Sequence, residues 1–248
     1  MLLSILLALV LPLSAADEQA DHQVLIVVTN HATLGDTGKP TGYWLAEVAH
    51  PWVRLRDAGI AVDIASPQGG FAPMDPRSFD LDDADNRRFW ETLAAVEAVM
   101  ATKDLRQLEP ADYAAVYFAG GHGTMWDFPG NPAIRRFVQE MWQEGGIVAA
   151  VCHGPAALVD VPLADGGQLV DGKRLTAFSV SEEKAVELQE AVPFLLTERL
   201  AEQGAEVLTA EDFQKKVVVD GRLITGQNPA SAAAAGAAIV EQLRPSGD

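Results

Sequence analysis

Gly145-Gly-Ile-Val-Ala-Ala-Val-Cys152-His153-Gly154-Pro155 is the stretch whose reading decides the fold. Ile147 to Val151 is an unbroken apolar run, the pattern of a strand buried on both faces. It stops at Cys152-His153-Gly154. Pro155-Ala-Ala-Leu follows, with proline where the first turn of a helix tolerates it. Strand, sharp turn, helix is the geometry that lifts one side chain off the end of a sheet. At a helix N-terminus the macrodipole and free N–H groups favour a thiolate, and the same N–H groups suit a developing oxyanion. The plainer reading is a small buried hydrophobe, inert to chemistry. The usual elbow has glycine two before the nucleophile; here Ala150 stands there and asks for a slightly looser turn.

Outward from that stretch, apolar runs alternate with helical periodicity. Residues 23–29 (Val-Leu-Ile-Val-Val at the centre) read as a buried strand. Residues 42–55 read as a helix whose Trp44, Leu45, Val48, Trp52 and Leu55 form its core face. A second strand at 59–66 precedes a Gly-, Pro- and Asp-rich loop at 67–85, long enough for a site cover or an interface segment. A helix is expected over 86–103 with Phe89, Leu93, Val96 and Met100 on one face, then a third strand over 112–120. Residues 132–144 form the helix leading into the elbow strand. Beyond the elbow come a short β segment at 166–176, a helix around Glu182-Glu183-Lys184, a helix at 193–203 ended by Gly204 and a strand at 205–208. A hairpin at 216–226 turns at Asp220-Gly221, and an Ala-rich helix spans 231–243. This alternation predicts a three-layer α/β fold around a mostly parallel, flavodoxin-like sheet.

Composition narrows the function. The chain has 248 residues, 48% hydrophobic and 21% charged, enough for one large domain. A net charge of −17 and the lack of any basic cluster exclude a general nucleic-acid footprint. An anionic substrate would need a local positive pocket. One cysteine allows no intramolecular disulfide and no multi-cysteine metal site. The five histidines show no zinc-ligand spacing, so no metal is expected. Residues 2–13 are apolar, too few to span a membrane. Ser14-Ala15-Ala16 and then Asp17-Glu18-Gln19 follow, as at a signal-peptide cleavage site, although the n-region lacks Lys and Arg. Residues 1–16 are therefore expected to be a signal peptide and 17–248 a single periplasmic or secreted domain with no remaining membrane segment. A buried N-terminal helix is the alternative and would leave the protein cytoplasmic.

Three further positions have two readings each. Glu47 lies near a helix start, close to the C-terminal end of the first strand, where open α/β sheets build sites; by position alone it is a solvated helix carboxylate. His122 sits in Gly120-Gly121-His122-Gly123, where clustered glycines let backbone N–H groups approach a ligand, or is an exposed loop histidine. That loop has no phosphate-loop spacing and no following Lys-Ser/Thr. Glu182 and Glu183 are adjacent carboxylates, the usual mark of a solvated face.

Four segments together resemble the ThiJ/PfpI superfamily, which shares its fold with class I glutamine amidotransferases. The likeness is strongest to its heat-inducible chaperone and glyoxalase III branch. They are Thr41-Gly-Tyr-Trp-Leu-Ala-Glu47-Val-Ala-His-Pro51, Ala119-Gly-Gly-His122-Gly-Thr-Met-Trp-Asp-Phe-Pro129, Val148-Ala-Ala-Val-Cys152-His153-Gly-Pro155, and Asp220-Gly-Arg-Leu-Ile-Thr-Gly-Gln-Asn-Pro-Ala-Ser231. They occur in the family's order across nearly the whole chain after residue 16. The resemblance implies a nucleophilic Cys152, a His153 partner and Glu183 as the acid, with Glu182 as alternate. It also implies Glu47 beside the sulfur, oxyanion donors at the Gly121 and His153 N–H groups, and His122 in the same pocket. The implied chemistry is cofactor-free conversion of 2-oxoaldehydes such as methylglyoxal to 2-hydroxy acids through a Cys152 hemithioacetal, by a homodimer. A stress-protective holdase and a cysteine redox sensor are the family's other activities. An amidotransferase is disfavoured because no histidine follows His153 to serve as a distant base.

Overall fold

The computed structural model describes residues 23–164 and 166–244; the expected signal peptide lies outside the described residues. The strands are β1 (Val24–Val27), β2 (Val62–Ser66), β3 (Lys103–Asp104), β4 (Ala115–Phe118), β5 (Ile147–Val151), β6 (Arg174–Leu175), β7 (Glu206–Val207), β8 (Val217–Asp220) and β9 (Leu223–Gly226). Among the described residues the main sheet runs β3-β2-β1-β4-β5-β9-β8, parallel except where β8 meets β9. β6 and β7 pair separately. Every residue of β1, β4 and β5 is buried, which is why these strands read as continuous apolar runs.

The helices are α1 (Leu45–Asp57), α2 (Ala84–Glu91), α3 (Leu93–Met100), α4 (Thr124–Asp127), α5 (Pro132–Gln143), α6 (Val180–Ala185), α7 (Leu196–Glu202) and α8 (Ala232–Leu243). Period-2 alternation splits the core into two layers. Leu25, Val27, Val116, Phe118, Val148 and Ala150 face α5 and α7. Val24, Ile26, Tyr117, Ala149 and Val151 face α1 and α8. No helix of the described residues is long and apolar enough to cross a membrane.

Several expectations shift. The helix expected over 86–103 is two helices, broken at an extended Thr92 (φ −88°, ψ 104°). A β-branched residue resists helix, and the extended step rotates α3 relative to α2. The apolar stripe therefore does not continue: Phe89, Ala95 and Val99 are buried, while Leu93 and Met100 are 71% and 53% exposed. The chain then adds an edge strand, β3, that its polar sequence does not announce, so the expected third strand is the fourth. α1 begins at Leu45, not 42, because Tyr43 N–H bonds Pro73 O and Trp44 N–H bonds Gly120 O. Trp44 and Trp52 are only half-buried. The hairpin turn is Gly221-Arg222, one residue later than expected, since Asp220 pairs with Leu223. After the elbow comes a 3-10 turn, Gly154–Leu158, not an α-helix.

α1 and α8 lie in close contact. The approach depends on Gly236, where a Cβ would stand 2.7 Å from Pro51 Cα and 2.9 Å from Pro51 Cβ. Gly236→Ala gains about 1 kcal/mol of helix propensity but overpacks against atoms that cannot swing away, at about 1–3 kcal/mol. A net loss of stability is expected in urea denaturation; an unchanged midpoint would mean the two helices separate freely.

Candidate active site

Strand order reverses direction of growth at β1 and β4, and crevices form at the C-terminal edge of such a switch point. β4 runs there into Ala119-Gly120-Gly121-His122-Gly123, and β5 next to it delivers Cys152. Cys152 holds φ at +60°, a left-handed backbone that a side-chain-bearing residue rarely adopts. This strained step is what lets neighbours in sequence meet: Cys152 Sγ lies 3.3 Å from His153 Nδ1. His153 Nε2 is 2.8 Å from Glu183 Oε2, and His122 Nε2 is 2.9 Å from Glu183 Oε1. The two imidazoles lie 4.1 Å apart, and Phe178 covers His153 at 4.5 Å.

The acceptor chemistry assigns the protons. An ionised carboxylate only accepts, so both Nε2 atoms donate to Glu183. His153 Nδ1 then presents its lone pair to the thiol. His122 Nδ1 presents its own to Arg77 Nη2 at 3.4 Å. Arg77 is held in turn by a fully buried Asp75, through Nε to Oδ1 at 2.9 Å and Nη2 to Oδ2 at 2.6 Å, and Thr41 donates to the same Asp75 at 3.0 Å.

Glu47 comes from the first turn of α1 and is fully buried, not solvated. Its Oε2 accepts Gly120 N–H at 2.8 Å, and its carboxyl lies beside the Cys152 sulfur. The glycines are needed here. A Cβ at Gly120 would stand 2.6 Å from Glu47 Oε2 and 2.7 Å from His153 N, and Gly121 has φ +101°. Gly121 N–H points at the sulfur, and His153 N–H has no backbone acceptor among the described residues, so both stand where an oxyanion would form beside that sulfur.

Environment sets the charges. Burial pushes Glu47 up to about 8, against the smaller opposing effects of Cys152 and Gly120. Burial alone would also raise Glu183, but His153 and His122 hold it well below the usual carboxylate range. Burial and the neighbouring His153 bring His122 down to about 4, so it is neutral. The Cys152 thiol is pushed up, first by burial and then by Glu47. This corrects the expectation of a dipole-favoured thiolate: the 3-10 turn after the elbow is too short to supply a helix dipole, and desolvation wins.

All six sequence-predicted residues, Cys152, His153, Glu183, Glu47, Gly121 and His122, thus converge, and His122 is buried rather than a loose loop residue. The structure separates the two adjacent acids. Glu182 closes a capping box with Ser179 and accepts from Asn228 and Phe213 N; only Glu183 reaches the imidazoles. Asp75 and Arg77 were not anticipated. Asp75-Pro76 carries a turn signal, yet nothing in it marks the loop as reaching His122. His122, His153 and Glu183 place donor atoms within 4.8 Å of one another, a set of the kind that holds a cation, although both Nε2 atoms now serve Glu183. The wide sequence separation of these groups hides them from spacing arguments.

Known proteins resemble this chain over most of its length. The model of the DJ-1/PfpI family matches residues 41–242. Glyoxalase 3 of Candida albicans is 30% identical over 222 residues, covering 85% of this chain and 93% of that protein. The crystal structure of glyoxalase III from Candida albicans superposes with a TM-score of 0.83 at 27% identity, covering 91% of this chain and 98% of that one. A glutathione-independent glyoxalase of Saccharomyces cerevisiae is 29% identical over 247 residues, covering 91% and 99%. The 24-kDa rapid encystment protein of Francisella tularensis superposes with a TM-score of 0.87 at 39% identity, covering 90% and 100%.

Glu47 has a stability signature. Its folded value lies above the ordinary 4.5, so its contribution to stability is complete below that pH and is lost as pH rises through about 8. Glu47→Gln keeps an acceptor for Gly120 N–H without the buried charge. The variant is expected to be more stable than the wild type at pH 9 by on the order of 4 kcal/mol, and not at pH 4. Denaturation curves that coincide at pH 9 would show that Glu47 is not a buried acid.

Proposed function

The chain belongs to the DJ-1/PfpI family, and on that premise we propose that it is a glutathione-independent glyoxalase that converts 2-oxoaldehydes to 2-hydroxy acids. The observation that carries the reading is a buried thiol placed between His153 Nδ1, at 3.3 Å, and a carboxyl group raised to about 8.

His153 Nδ1 takes the thiol proton as Sγ adds to the aldehyde carbon, forming the S–C bond of a hemithioacetal. Glu183 stabilises the imidazolium that results, as the acid of a triad does. The developing oxyanion is held by Gly121 and His153 N–H. His153 returns its proton to that oxyanion; Glu47 in its ionised form then removes the proton from the former aldehyde carbon and delivers it to the adjacent carbon through an enediol, while His153 carries a proton from the hemithioacetal oxygen to the ketone oxygen. A base with a value near 8 suits this transfer at neutral pH. The aldehyde carbon is thereby oxidised to a thioester and the ketone carbon reduced to an alcohol, with no outside redox partner. Water cleaves the thioester, releasing the 2-hydroxy acid and the thiol. Cys152 thus takes the role of the glutathione sulfur.

The same reading includes export and a homodimer. Export is supported by the 2–16 sequence pattern, and N-terminal sequencing of exported protein should begin near residue 17. The homodimer is supported by the family resemblance, and sedimentation should give twice the chain mass.

With methylglyoxal, chelator and no glutathione, the purified protein is expected to form lactate. Cys152→Ala is expected to lose at least about 1,000-fold in kcat. Absence of lactate from the wild type would overturn the assignment, and lactate from Cys152→Ala would remove the sulfur from the mechanism.

A further inference from the structure

β4 places one polar side chain in an otherwise apolar strand, Ala115-Val116-Tyr117-Phe118. Tyr117 is fully buried, and its hydroxyl has no hydrogen-bond partner among the described residues. Buried hydroxyls are normally satisfied, and one that is not calls for an explanation. The same holds for Glu47 Oε1. These two open oxygens belong to one layer. Strand alternation turns Tyr117 to the face that also carries Ala115 and Ala119. Tyr117 shares its buried cluster with Leu45 and Val48, which flank Glu47 on α1, and with Cys152. Glu47 Oε2 is anchored at Gly120 N–H, three residues along the chain from Tyr117.

We infer that Tyr117 is a positioning residue for Glu47, its hydroxyl donating to Oε1 directly or through one buried water when the carboxyl ionises. The need arises during the reaction. In the resting protein the Glu47 carboxyl lies beside the sulfur. The thiol's single proton leaves to His153 Nδ1 as sulfur attacks, so the ionised carboxylate retains only Gly120 N–H. A second donor is then required at the step where Glu47 acts as base. Tyr117 remains a donor throughout, because burial and the nearby Glu47 and Cys152 charges push its titration well above 10. Among the described residues the layer holds one other phenol, Tyr43, and the remaining groups around Glu47 are engaged elsewhere. Gly120 N–H is spent on Oε2. The α8 residues buried in this layer (Ala235, Ile239 and Val240) do not titrate. On α1, His50 pairs with Asp83. The Glu182 charge acts on the sulfur, and His153 Nδ1 lies 3.3 Å from it.

The inference rests on Glu47 being the base, so the test reads Glu47 separately from turnover. The infrared carboxyl band of protonated Glu47, identified by its loss in Glu47→Gln, is titrated in the wild type and in Tyr117→Phe. Phenylalanine keeps the ring and removes only the open hydroxyl. The band midpoint is expected to rise by about one pH unit. The acid limb of kcat/KM for methylglyoxal should rise with it, so that kcat/KM falls about tenfold at pH 7 and recovers at high pH. A hydroxyl that is merely tolerated would leave both unmoved and raise only the melting temperature, which overturns the inference. Site-specific 3-fluorotyrosine at 117, a stronger donor, should move the midpoint down, and no movement would overturn it equally. A shifted midpoint without turnover in either protein would sink the glyoxalase reading and leave Tyr117 in its role; turnover with an unmoved midpoint would do the reverse.

Discussion

Exclusion of water from one layer at the C-terminal edge of the sheet is the constraint on which the site depends. Two glutamates, a thiol and two imidazoles lie in it, all nearly inaccessible. Desolvation penalises every charge there, and what each group finds in compensation decides its form. Glu183 finds two imidazole N–H donors and stays ionised. Glu47 finds one backbone N–H and stays protonated until pH nears 8. Two chemically identical side chains are thus set apart as an orienting anion and a base, the division that environment imposes on paired carboxylates elsewhere.

Much of this frame is legible in the chain because buried parallel strands must be apolar along their whole length. Residues 147–151 are read and observed as the same strand, and Cys152 falls at its end for that reason. Helices judged by periodicity also appear where a single regular segment exists, as at Pro132–Gln143. Periodicity fails at Thr92, since one extended residue resets the phase of everything after it. It says nothing of Lys103–Asp104, because a two-residue edge strand needs no apolar pattern.

The site was legible only as far as motifs carry it. Glu47 read in isolation is an ordinary helix acid; what distinguishes it is Gly120, seventy-three residues away, whose N–H it receives. The choice between Glu182 and Glu183 was open, yet Ser179-x-x-Glu182 is a capping-box pattern, and that signal marks Glu182 as engaged with the backbone. Asp75, Arg77 and Tyr117 carry no such local mark. Their placement comes from a loop folding over His122 and from strand register, neither of which is encoded in neighbouring residues.

The thiol's raised value bears on what the elbow is for. Oxidation of cysteine to sulfenic and higher acids tracks thiolate character and access to solvent. Cys152 has neither at rest: burial and Glu47 hold it as a thiol, and 4% of it is exposed. A standing thiolate at a helix N-terminus would suit a sensor of oxidants. A neutral thiol whose proton passes to His153 Nδ1 only as a carbonyl approaches suits turnover, because the nucleophile forms when there is something to attack. The lone cysteine of an acidic chain is in this way kept reduced and still reactive, and the same burial that protects it also lifts Glu47 into the range where a carboxylate can move protons on carbon.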